Sequence, residues 1–205
     1  MVQYYPAFLD LSDKKVVLFG GGPVALRKAK ALSETGADLI AVSRDFSPEF
    51  LAFAKRHRLK LRHGSEIQNS LRGASLAIAA TSDKAFNKTV FERCKQKGIL
   101  INVVDDPGHS SFIVPSVLKR GRLQIAISTG GASPLLAKTL RQKLAVEFGS
   151  EYGRLVRQLE QDRSKSKKTI FLEKDRRSHF RQVVASGLKG FKRKRNTSLR
   201  GNVFK

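Results

Sequence analysis

A glycine-rich turn between an apolar run and a helical pattern constrains the fold of this chain more than any other feature. Residues 16–19 (Val-Val-Leu-Phe) lead directly into residues 20–25 (Gly-Gly-Gly-Pro-Val-Ala), which match the G-x-G-x-x-A form of the dinucleotide-binding fingerprint. Gly20 permits the tight turn, Gly22 leaves room for a pyrophosphate beside the backbone, and Ala25 lets the helix pack closely on the strand. The helix N-terminus adds unpaired N–H groups and a positive dipole end. We therefore predict a dinucleotide site; the alternative is a glycine-rich connection without a ligand.

The end of the second predicted strand leaves the phosphate state of that cofactor open. An NAD site usually has Asp or Glu there to bind the ribose hydroxyls. In this chain Ser43 stands where the acid is expected, Asp45 comes two residues late, and Arg44 could favour a 2′-phosphate. We predict that all three contact the cofactor, with both NAD and NADP open on these residues alone.

The first hundred residues alternate between strand and helix patterns. Apolar, β-branched runs predict strands at residues 15–19, 38–42, 59–61, 75–80 and 99–104, and amphipathic patterns predict helices at 23–35, 48–57 and 83–97. Such alternation is typical of a parallel sheet with helices on both faces. The fold class predicted here is therefore α/β, a Rossmann-like doubly wound sheet.

The pattern changes after residue 110. Residues 111–118 and 122–128 are extended and β-rich around Lys119-Arg120-Gly121, which is typical of a hairpin turn. An amphipathic helix is predicted at 133–148, with Ser133 as N-cap. Beyond residue 149 strand patterns nearly vanish, and residues 152–163 and 174–185 are helical and charged. The segment 190–205 is strongly basic and is predicted to be disordered.

The net charge of +23 predicts a polyanionic partner: nucleic acid, an anionic membrane, or a small substrate with many carboxylates. Residues 151–205 hold 17 Lys and Arg against 5 Asp and Glu, so the excess is densest there. The first apolar run, residues 16–19, is too short for a signal peptide or a membrane span. Cys94 is the single cysteine, which excludes an intramolecular disulfide, and no zinc or cluster motif is present. We expect a cytoplasmic protein without membrane partners or a protein-held metal.

Five groups of residues occur in the order in which one known family carries them. These groups are Tyr5-Pro6 through Leu9, Gly20-Gly21-Gly22 through Lys28, Ala79-Ala80-Thr81 with Asn87, residues 102–105 (Asn-Val-Val-Asp) with 112–115 (Phe-Ile-Val-Pro), and residues 128–134 (Ser-Thr-Gly-Gly-Ala-Ser-Pro). On these residues the chain resembles the precorrin-2 dehydrogenases, including the front half of multifunctional siroheme synthases and the fungal bifunctional dehydrogenase–ferrochelatase. The resemblance is strong over residues 1–150 and weak through Arg176-Arg177.

This resemblance implies an enzyme that removes hydrogen from precorrin-2 with NAD, giving sirohydrochlorin and NADH. It implies that Asp105 is the essential aspartate of the site. It also places a further set of residues against the cofactor by motif match. That set consists of Pro23, Val24, Arg44 and Asp45, and Thr81 is a further predicted cofactor contact. No methyltransferase half is attached, so uroporphyrinogen methylation is expected to come from another protein.

The resemblance also implies a homodimer whose active-site clefts involve both subunits. With the patterns above, it predicts four regions. They are an NAD-binding Rossmann domain at 1–110, a dimerisation region at 111–149, a small helical domain at 150–189 and a basic disordered tail at 190–205.

Asp105 also makes chemical sense at its position. It follows the fifth predicted strand, and ligands of open parallel sheets bind at the carboxyl ends of the strands. Loss of a hydride from a reduced macrocycle also requires loss of a proton, so a nearby carboxylate is a credible general base. The alternative is that Asp105-Asp106-Pro107-Gly108 is simply a turn, which its composition favours. His109, in the same loop, is a candidate substrate contact.

A second candidate substrate site lies at the start of the last amphipathic helix pattern. Hydroxyls, glycines and backbone N–H groups suit an anion nest that could hold one of the eight carboxylates of precorrin-2. The predicted contacts are Ser128, Thr129, Gly130, Gly131 and Ser133. The alternative is an ordinary helix cap. The basic residues Lys119, Arg120 and Lys138 could bind other carboxylates.

Two further functions remain open on the sequence. One is the bifunctional enzyme, in which ferrous iron is a substrate and Asp105 serves both steps by family analogy. The other is a nucleotide-sensing regulatory domain whose basic tail, residues 191–195 (Phe-Lys-Arg-Lys-Arg), binds nucleic acid. A helix-turn-helix pattern and interleaved stacking aromatics are missing from the sequence, so nucleic acid is not the expected partner.

Overall fold

A computed structural model describes the backbone of residues 3–200 and the side chains of residues 3–189 and 191. Its first part is a five-stranded, fully parallel sheet with the strand order β3-β2-β1-β4-β5. The strands are β1 (Lys15–Phe19), β2 (Asp38–Ser43), β3 (Lys60–His63), β4 (Leu76–Ala79) and β5 (Leu100–Val103). The connecting helices are α1 (Pro23–Ser33), α2 (Pro48–His57), α3 (Ile67–Ser70) and α4 (Lys84–Gln96). The predicted Rossmann-like sheet is confirmed.

The central strand shows why the sequence folds this way. Val17 and Phe19 pack into the hydrophobic cluster on one face of the sheet, whereas Val16 and Leu18 pack into the cluster on the other face. All four side chains are fully buried. Because successive strand residues point to opposite faces, a strand that is apolar at every position must be covered on both sides.

Local capping sets the helix boundaries. Ser47 accepts a hydrogen bond from the Phe50 N–H group at the start of α2, and Asp83 accepts one from the Phe86 N–H group at the start of α4. Pro23 occupies the first position of α1, directly after the glycine turn. The sequence analysis missed α3, a helix of four residues.

The strand order places a topological switch at β1. Its neighbours are β2 on one side and β4 on the other, so the connections that leave β1 and β4 diverge to opposite sides. In open parallel sheets such a divergence opens a crevice at the carboxyl ends of the strands. That edge carries the glycine turn after β1 and Asp105 after β5.

The second part of the chain is a hairpin followed by three helices. β6 (Ser116–Arg120) pairs antiparallel with β7 (Leu123–Ile127), and α5 (Pro134–Glu147), α6 (Ser150–Thr169) and α7 (Glu173–Arg200) follow. The predicted turn Lys119-Arg120-Gly121 is wrong, because Lys119 and Arg120 are paired residues of β6. Arg120 pairs with Leu123, so the turn consists of Gly121 and Arg122. Gly121 has a φ of 59°, the sign that a type II′ turn requires at its first central residue.

The chain divides into two compact units, Met1–Val114 and Pro115–Lys205. The division falls after residue 114 rather than 110 because the segment after the β5 loop returns to the sheet: Ser111 donates its N–H to Ile101, and the Phe112 carbonyl accepts from the Asn102 side chain. Disorder was predicted from residue 190 onward, but α7 continues as helical backbone to residue 200. Residues 201–205 lie outside the described residues. Among helices of residues 3–200, none is long and apolar enough to cross a membrane.

Candidate functional site

A cavity of about 550 Å³ opens at the carboxyl ends of the strands in the first unit. Its lining comes from the segments that follow β1, β2, β3, β4 and β5, together with the start of α4. The lining residues are Gly20, Gly21, Gly22, Pro23, Val24, Val42, Ser43, Arg44, Asp45, Gly64, Ser65, Ala80, Thr81, Ser82, Asp83, Phe86, Val104 and Asp105. The predicted glycine turn, the predicted ribose residues, Thr81 and Asp105 therefore meet in one cavity.

Close backbone packing requires glycine at the first two positions of the turn. Gly20 has a φ of 125°, and a Cβ there would lie 2.5 Å from the carbonyl oxygen of Ala80. A Cβ on Gly21 would collide with the carbonyl oxygen of Asp45. The turn is thus pressed against the segments that follow β4 and β2.

Gly22 differs from its neighbours because the space around it is open. A Cβ on Gly22 would meet no described atom within 4 Å. The first hydrogen bond of α1 runs from the Leu26 N–H to the Gly22 carbonyl. The N–H groups of Val24 and Ala25 therefore have no acceptor within the helix. A pyrophosphate fits such a space beside a helix N-terminus. The turn therefore suits the phosphates of a dinucleotide.

The side chain of Ala25, a predicted cofactor residue, has a packing role. Its side chain is fully buried and is not among the described residues that line the cavity. The position for a Cβ on Gly20 lies 3.3 Å from the Ala25 Cβ. A larger side chain at residue 25 would push α1 away from β1, as the fingerprint argument expected.

The residues after β2 form the part of the cavity expected to receive the ribose. Arg44 and Asp45 are exposed and line it. The Ser43 hydroxyl donates to the carbonyl of Asp45 at 2.6 Å, and the Ser43 carbonyl accepts from the Gly64 N–H at 3.0 Å. The Ser43 hydroxyl therefore donates its hydrogen within the loop, and Ser43 Oγ can still accept a hydrogen bond from a ligand. Gly64 and Ser65, which follow β3, were missed by the sequence analysis.

Thr81 is held at the edge of the cavity by a buried asparagine. Its hydroxyl donates to Asn87 Oδ1 at 2.6 Å, and Asn87 Nδ2 donates back to the Thr81 carbonyl at 3.0 Å. Asn87 is only 6% exposed. This pair ties the end of β4 to α4 and brings Ser82, Asp83 and Phe86 to the lining, none of which was predicted. Their position directly after a central strand was the signal that could have found them.

Asp105 reaches the cavity with an unusual backbone conformation. The chain continues the ladder of β5 to Val104, whose N–H donates to Ala79, and Asp105 then adopts a φ of 59° in the left-handed region. Its exposed side chain belongs to the cavity lining. The acid predicted at this strand end from the sequence therefore lies at the cavity.

A lysine on α1 interacts electrostatically with this carboxylate. Lys28 is half-buried, and burial lowers the pKa of its ammonium, with repulsion from Arg27 adding to that effect and attraction to Asp105 opposing it. The residue belongs to a motif used for the resemblance, but no sequence argument gave it a role.

His109, predicted as a substrate contact, lies in the loop after β5, and its contact with the substrate stays a prediction. Its Nδ1 lies 2.8 Å from Oδ2 of Asp106, and its ring meets Phe91 edge-on at 5.1 Å between centroids. His109 is not among the described lining residues. The hydrogen bond with His109 lowers the pKa of Asp106, so this second carboxylate is engaged within its own loop.

The predicted anion nest belongs to the second unit, and its hydroxyls cap the chain. Ser128 Oγ accepts from the Gly130 N–H, Thr129 Oγ1 accepts from the Ser133 N–H, and Ser133 Oγ accepts from the Leu136 N–H. Gly130 and Gly131 both have positive φ angles, 63° and 92°. The predicted N-cap at Ser133 is confirmed. Binding of a carboxylate by this segment stays a prediction.

Arg120, a predicted basic contact, binds within the second unit. Arg120 donates from Nε to the carbonyl of Phe148 and from Nη2 to that of Ala145, so its guanidinium binds the C-terminal carbonyls of α5. Among the described side chains, no group of three or more His, Cys, Asp or Glu could hold a metal ion. Cys94 is fully buried.

Comparison with known proteins places these features in two families. The family described as putative NAD(P)-binding matches residues 7–116, which cover the whole parallel sheet and its cavity. The family described as sirohaem biosynthesis protein, central, matches residues 120–146, which cover most of the hairpin and α5.

Individual relatives carry both segments. A siroheme synthase from Citrobacter koseri is 38% identical over 182 residues, which are 89% of this chain and 40% of the relative. A siroheme synthase 2 from Cronobacter sakazakii is 40% identical over 185 residues, or 90% of this chain and 40% of the relative. The chain thus spans about two-fifths of these relatives. A solved structure titled SirC, precorrin-2 dehydrogenase, matches with a TM-score of 0.73 and 25% identity, covering 91% of this chain and 100% of that chain.

Proposed function

We propose that this chain, which belongs to the putative NAD(P)-binding family, oxidises precorrin-2 to sirohydrochlorin with NAD as the hydrogen acceptor. One observation carries the proposal: a single cavity brings together the glycine turn, the ribose residues and Asp105. The similarity to siroheme synthases and to a precorrin-2 dehydrogenase supports the choice of substrate.

The residues for the cofactor follow from the shape of the cavity. Gly22 and the N-terminus of α1 bind the pyrophosphate, since the backbone is open there and the helix dipole favours an anion. Ser43, Arg44 and Asp45 contact the adenosine ribose. When bound, the nicotinamide supplies the hydride acceptor. Asp45 suits the ribose 2′-hydroxyl of NAD, whereas Arg44 suits the 2′-phosphate of NADP. Comparing turnover with NAD and with NADP tests the preference.

Asp105 is the general base of the proposed reaction. Precorrin-2 loses two hydrogens, one as a hydride and one as a proton. A carboxylate oxygen of Asp105 accepts the proton as the hydride leaves, so the charges balance. The positive charge of Lys28 attracts the Asp105 carboxylate. Asp106 takes no part as a base, because His109 already occupies its carboxylate.

The substrate carries many carboxylates, and the charge of the protein suits it. A net charge of +23 raises the local concentration of a polyanion. Ser128, Thr129, Gly130, Gly131 and Ser133 remain our proposed contacts for one carboxylate arm, and His109 for another polar group. A cytoplasmic location is kept with this function as a prediction from the sequence.

The decisive experiment measures NADH and sirohydrochlorin formed anaerobically from enzymatically prepared precorrin-2. We expect turnover by the wild type and its loss in Asp105→Ala and Asp105→Asn, at unchanged NADH binding. Asp13→Ala is the matched control, because Asp13 is also an exposed aspartate with a left-handed backbone, φ 58°, but precedes β1. No turnover by folded, NAD-binding wild type would overturn the proposal, and full activity of Asp105→Asn would remove Asp105 as the base.

A separate experiment tests the bifunctional alternative. It adds ferrous iron to the sirohydrochlorin product and measures whether the protein inserts the metal.

A homodimer is part of the proposal. Leu136 and Leu140 lie one helical turn apart on α5 and are 49% and 38% exposed, while Leu135 beside them is 73% exposed. Apolar side chains clustered in this way on a surface mark a contact with another chain. Light scattering of the protein eluting from a size-exclusion column should give twice the mass of the chain. The double variant Leu136→Asp with Leu140→Asp should give the mass of the monomer. A monomeric wild type would exclude the dimer.

A further inference from the structure

The backbone of Asp105 needs support from its surroundings. A non-glycine residue in the left-handed region is uncommon, and such conformations persist when neighbouring contacts determine them. Asp105 follows the last residue that continues the β5 ladder, Val104, and its carboxylate must lie at the cavity to act as a base. The contacts that fix the next residues therefore decide where this carboxylate points.

Those contacts form a closed set within residues 103–110. Asp106 accepts the His109 backbone N–H through Oδ1 at 3.2 Å, and its Oδ2 lies 2.8 Å from His109 Nδ1. The Ser110 hydroxyl donates to the Asp106 carbonyl at 2.8 Å and accepts the Val103 N–H at 2.9 Å. The Asp106 N–H donates to the Val103 carbonyl. Asp105 is thus enclosed between two anchored residues.

The imidazole is itself held from outside the loop. Phe91, on α4, meets the His109 ring edge-on with an interplanar angle of 84°. The His109 side chain is 34% exposed and that of Asp106 is 45% exposed, so solvent competes only in part for their hydrogen bonds. The loop is therefore tied to α4 through His109 and to β5 through Ser110.

We propose that Asp106 and His109 are positioning residues, which clamp the loop after β5 and so hold the Asp105 carboxylate at the cavity. This inference rests on the proposed role of Asp105. It gives the two neighbouring aspartates different tasks: Asp105 acts on the substrate, and Asp106 fixes Asp105 through His109. It also gives His109 a structural partner, Asp106, in addition to its proposed substrate contact.

The variants separate geometry from charge. Asp106→Ala removes both hydrogen bonds, and we expect it to lower kcat by about 10- to 100-fold, since misplacing a reacting group by 1 Å has that effect. Asp106→Asn should retain most activity, because its amide oxygen still accepts the backbone N–H and its NH2 group can donate to His109 Nδ1 in the tautomer that leaves this nitrogen unprotonated. His109→Ala loses one bond and should fall between these two. The double variant Asp106→Ala with His109→Ala should be no worse than Asp106→Ala, because both changes disrupt one clamp.

Two readouts keep this test independent of turnover. Hydrogen exchange of the peptide spanning residues 101–112 should become faster in Asp106→Ala and His109→Ala, and NADH affinity should stay within about twofold because the glycine turn is untouched. Asp10→Ala is the control: it also removes an aspartate that accepts a nearby backbone N–H, from Ser12 at 3.0 Å, in a loop remote from the cavity. It should change neither exchange nor kcat.

The outcomes distinguish this inference from the proposed function. Unchanged exchange in both alanine variants would overturn the clamp whether or not the wild type oxidises precorrin-2. Faster exchange with unchanged kcat in an active enzyme would also overturn it, because Asp105 would then need no positioning. A wild type without turnover would remove the proposed function, and the exchange data alone would then decide whether the clamp exists.

Discussion

At the scale of single residues, the glycine turn offers a matched pair of substitutions. Gly21→Ala should lower the free energy of unfolding by about 1–3 kcal/mol, since its Cβ would collide with the Asp45 carbonyl, which is backbone and cannot rotate away. Gly22→Ala should leave stability unchanged, because the space around it is open and its φ of −89° suits alanine. It should instead weaken NADH binding by about tenfold or more, equivalent to about 1.4 kcal/mol.

Thermal unfolding and fluorescence titration with NADH measure these two effects separately. A destabilised Gly22→Ala protein would show that the open space is needed for folding. Unimpaired NADH binding by folded Gly22→Ala would show that no phosphate lies against this residue.

Cys94 is predicted to be chemically inert in the folded protein. Burial raises the pKa of its thiol to about 12, so the thiol stays protonated at neutral pH. Because the thiolate forms more readily after unfolding, stability that depends on this group falls as the pH rises from 9 towards 12. A disulfide reagent at pH 8 should react very slowly with native protein and should modify one thiol per chain in denaturant. Rapid reaction of the native protein would contradict this.

Individual site residues were predictable where position alone determines them. Gly22 and Asp105 lie at the cavity because a fingerprint and a strand end fix their place. Lys28 and the partner of His109 could not be predicted, because they depend on how α1 and α4 pack against the sheet. His109 shows the limit most clearly: the sequence indicates a candidate substrate contact, but its hydrogen bond with Asp106 depends on the conformation of the loop after β5.

At the scale of elements, α6 supplies a test of close packing. Glycine within a helix normally costs about 0.5–1 kcal/mol relative to alanine. Gly153→Ala should nevertheless destabilise the protein, because its Cβ would lie 2.8 Å from the Arg120 carbonyl at the hairpin end. Gly187→Ala on α7 is the control: its Cβ would meet a methyl group of Leu155 at 2.5 Å, and that side chain can rotate.

Chemical denaturation of both variants checks this prediction. The midpoint should fall for Gly153→Ala and stay equal or rise for Gly187→Ala. A rise for Gly153→Ala would show that the hairpin moves freely away from α6. The opposite order of the two variants would contradict the packing described for these helices.

The elements themselves were largely predictable from periodicity. All five strands of the sheet and the helices α1, α2 and α4 occur where the patterns placed them, with ends that differ by a few residues because capping contacts set them. The hairpin turn was wrong because glycine takes the first turn position in a two-residue loop rather than the last. The helix α3 was missed since four residues carry too little periodicity.

At the scale of the whole molecule, the net charge of +23 has a testable consequence, because positive charge is concentrated at the C-terminal end. Residues 190–205 contain six Lys and Arg and no Asp or Glu. A long-range attraction of this kind acts across about 30 Å at roughly 0.01 M salt and about 3 Å at 1 M. The segment could therefore recruit a polycarboxylate substrate at low salt without forming a fixed binding site.

Deleting residues 190–205 should then raise the apparent KM for precorrin-2 at low salt and leave kcat unchanged. The difference from wild type should vanish at high salt, because screening removes the attraction in both proteins. A full-length variant with Lys192, Arg193, Lys194 and Arg195 replaced by Gln keeps the chain length and should behave like the deletion if charge is the cause. If the deletion raises KM while this variant does not, the segment acts through its structure. An unchanged KM in both would assign substrate recruitment to the remaining basic residues of the molecule.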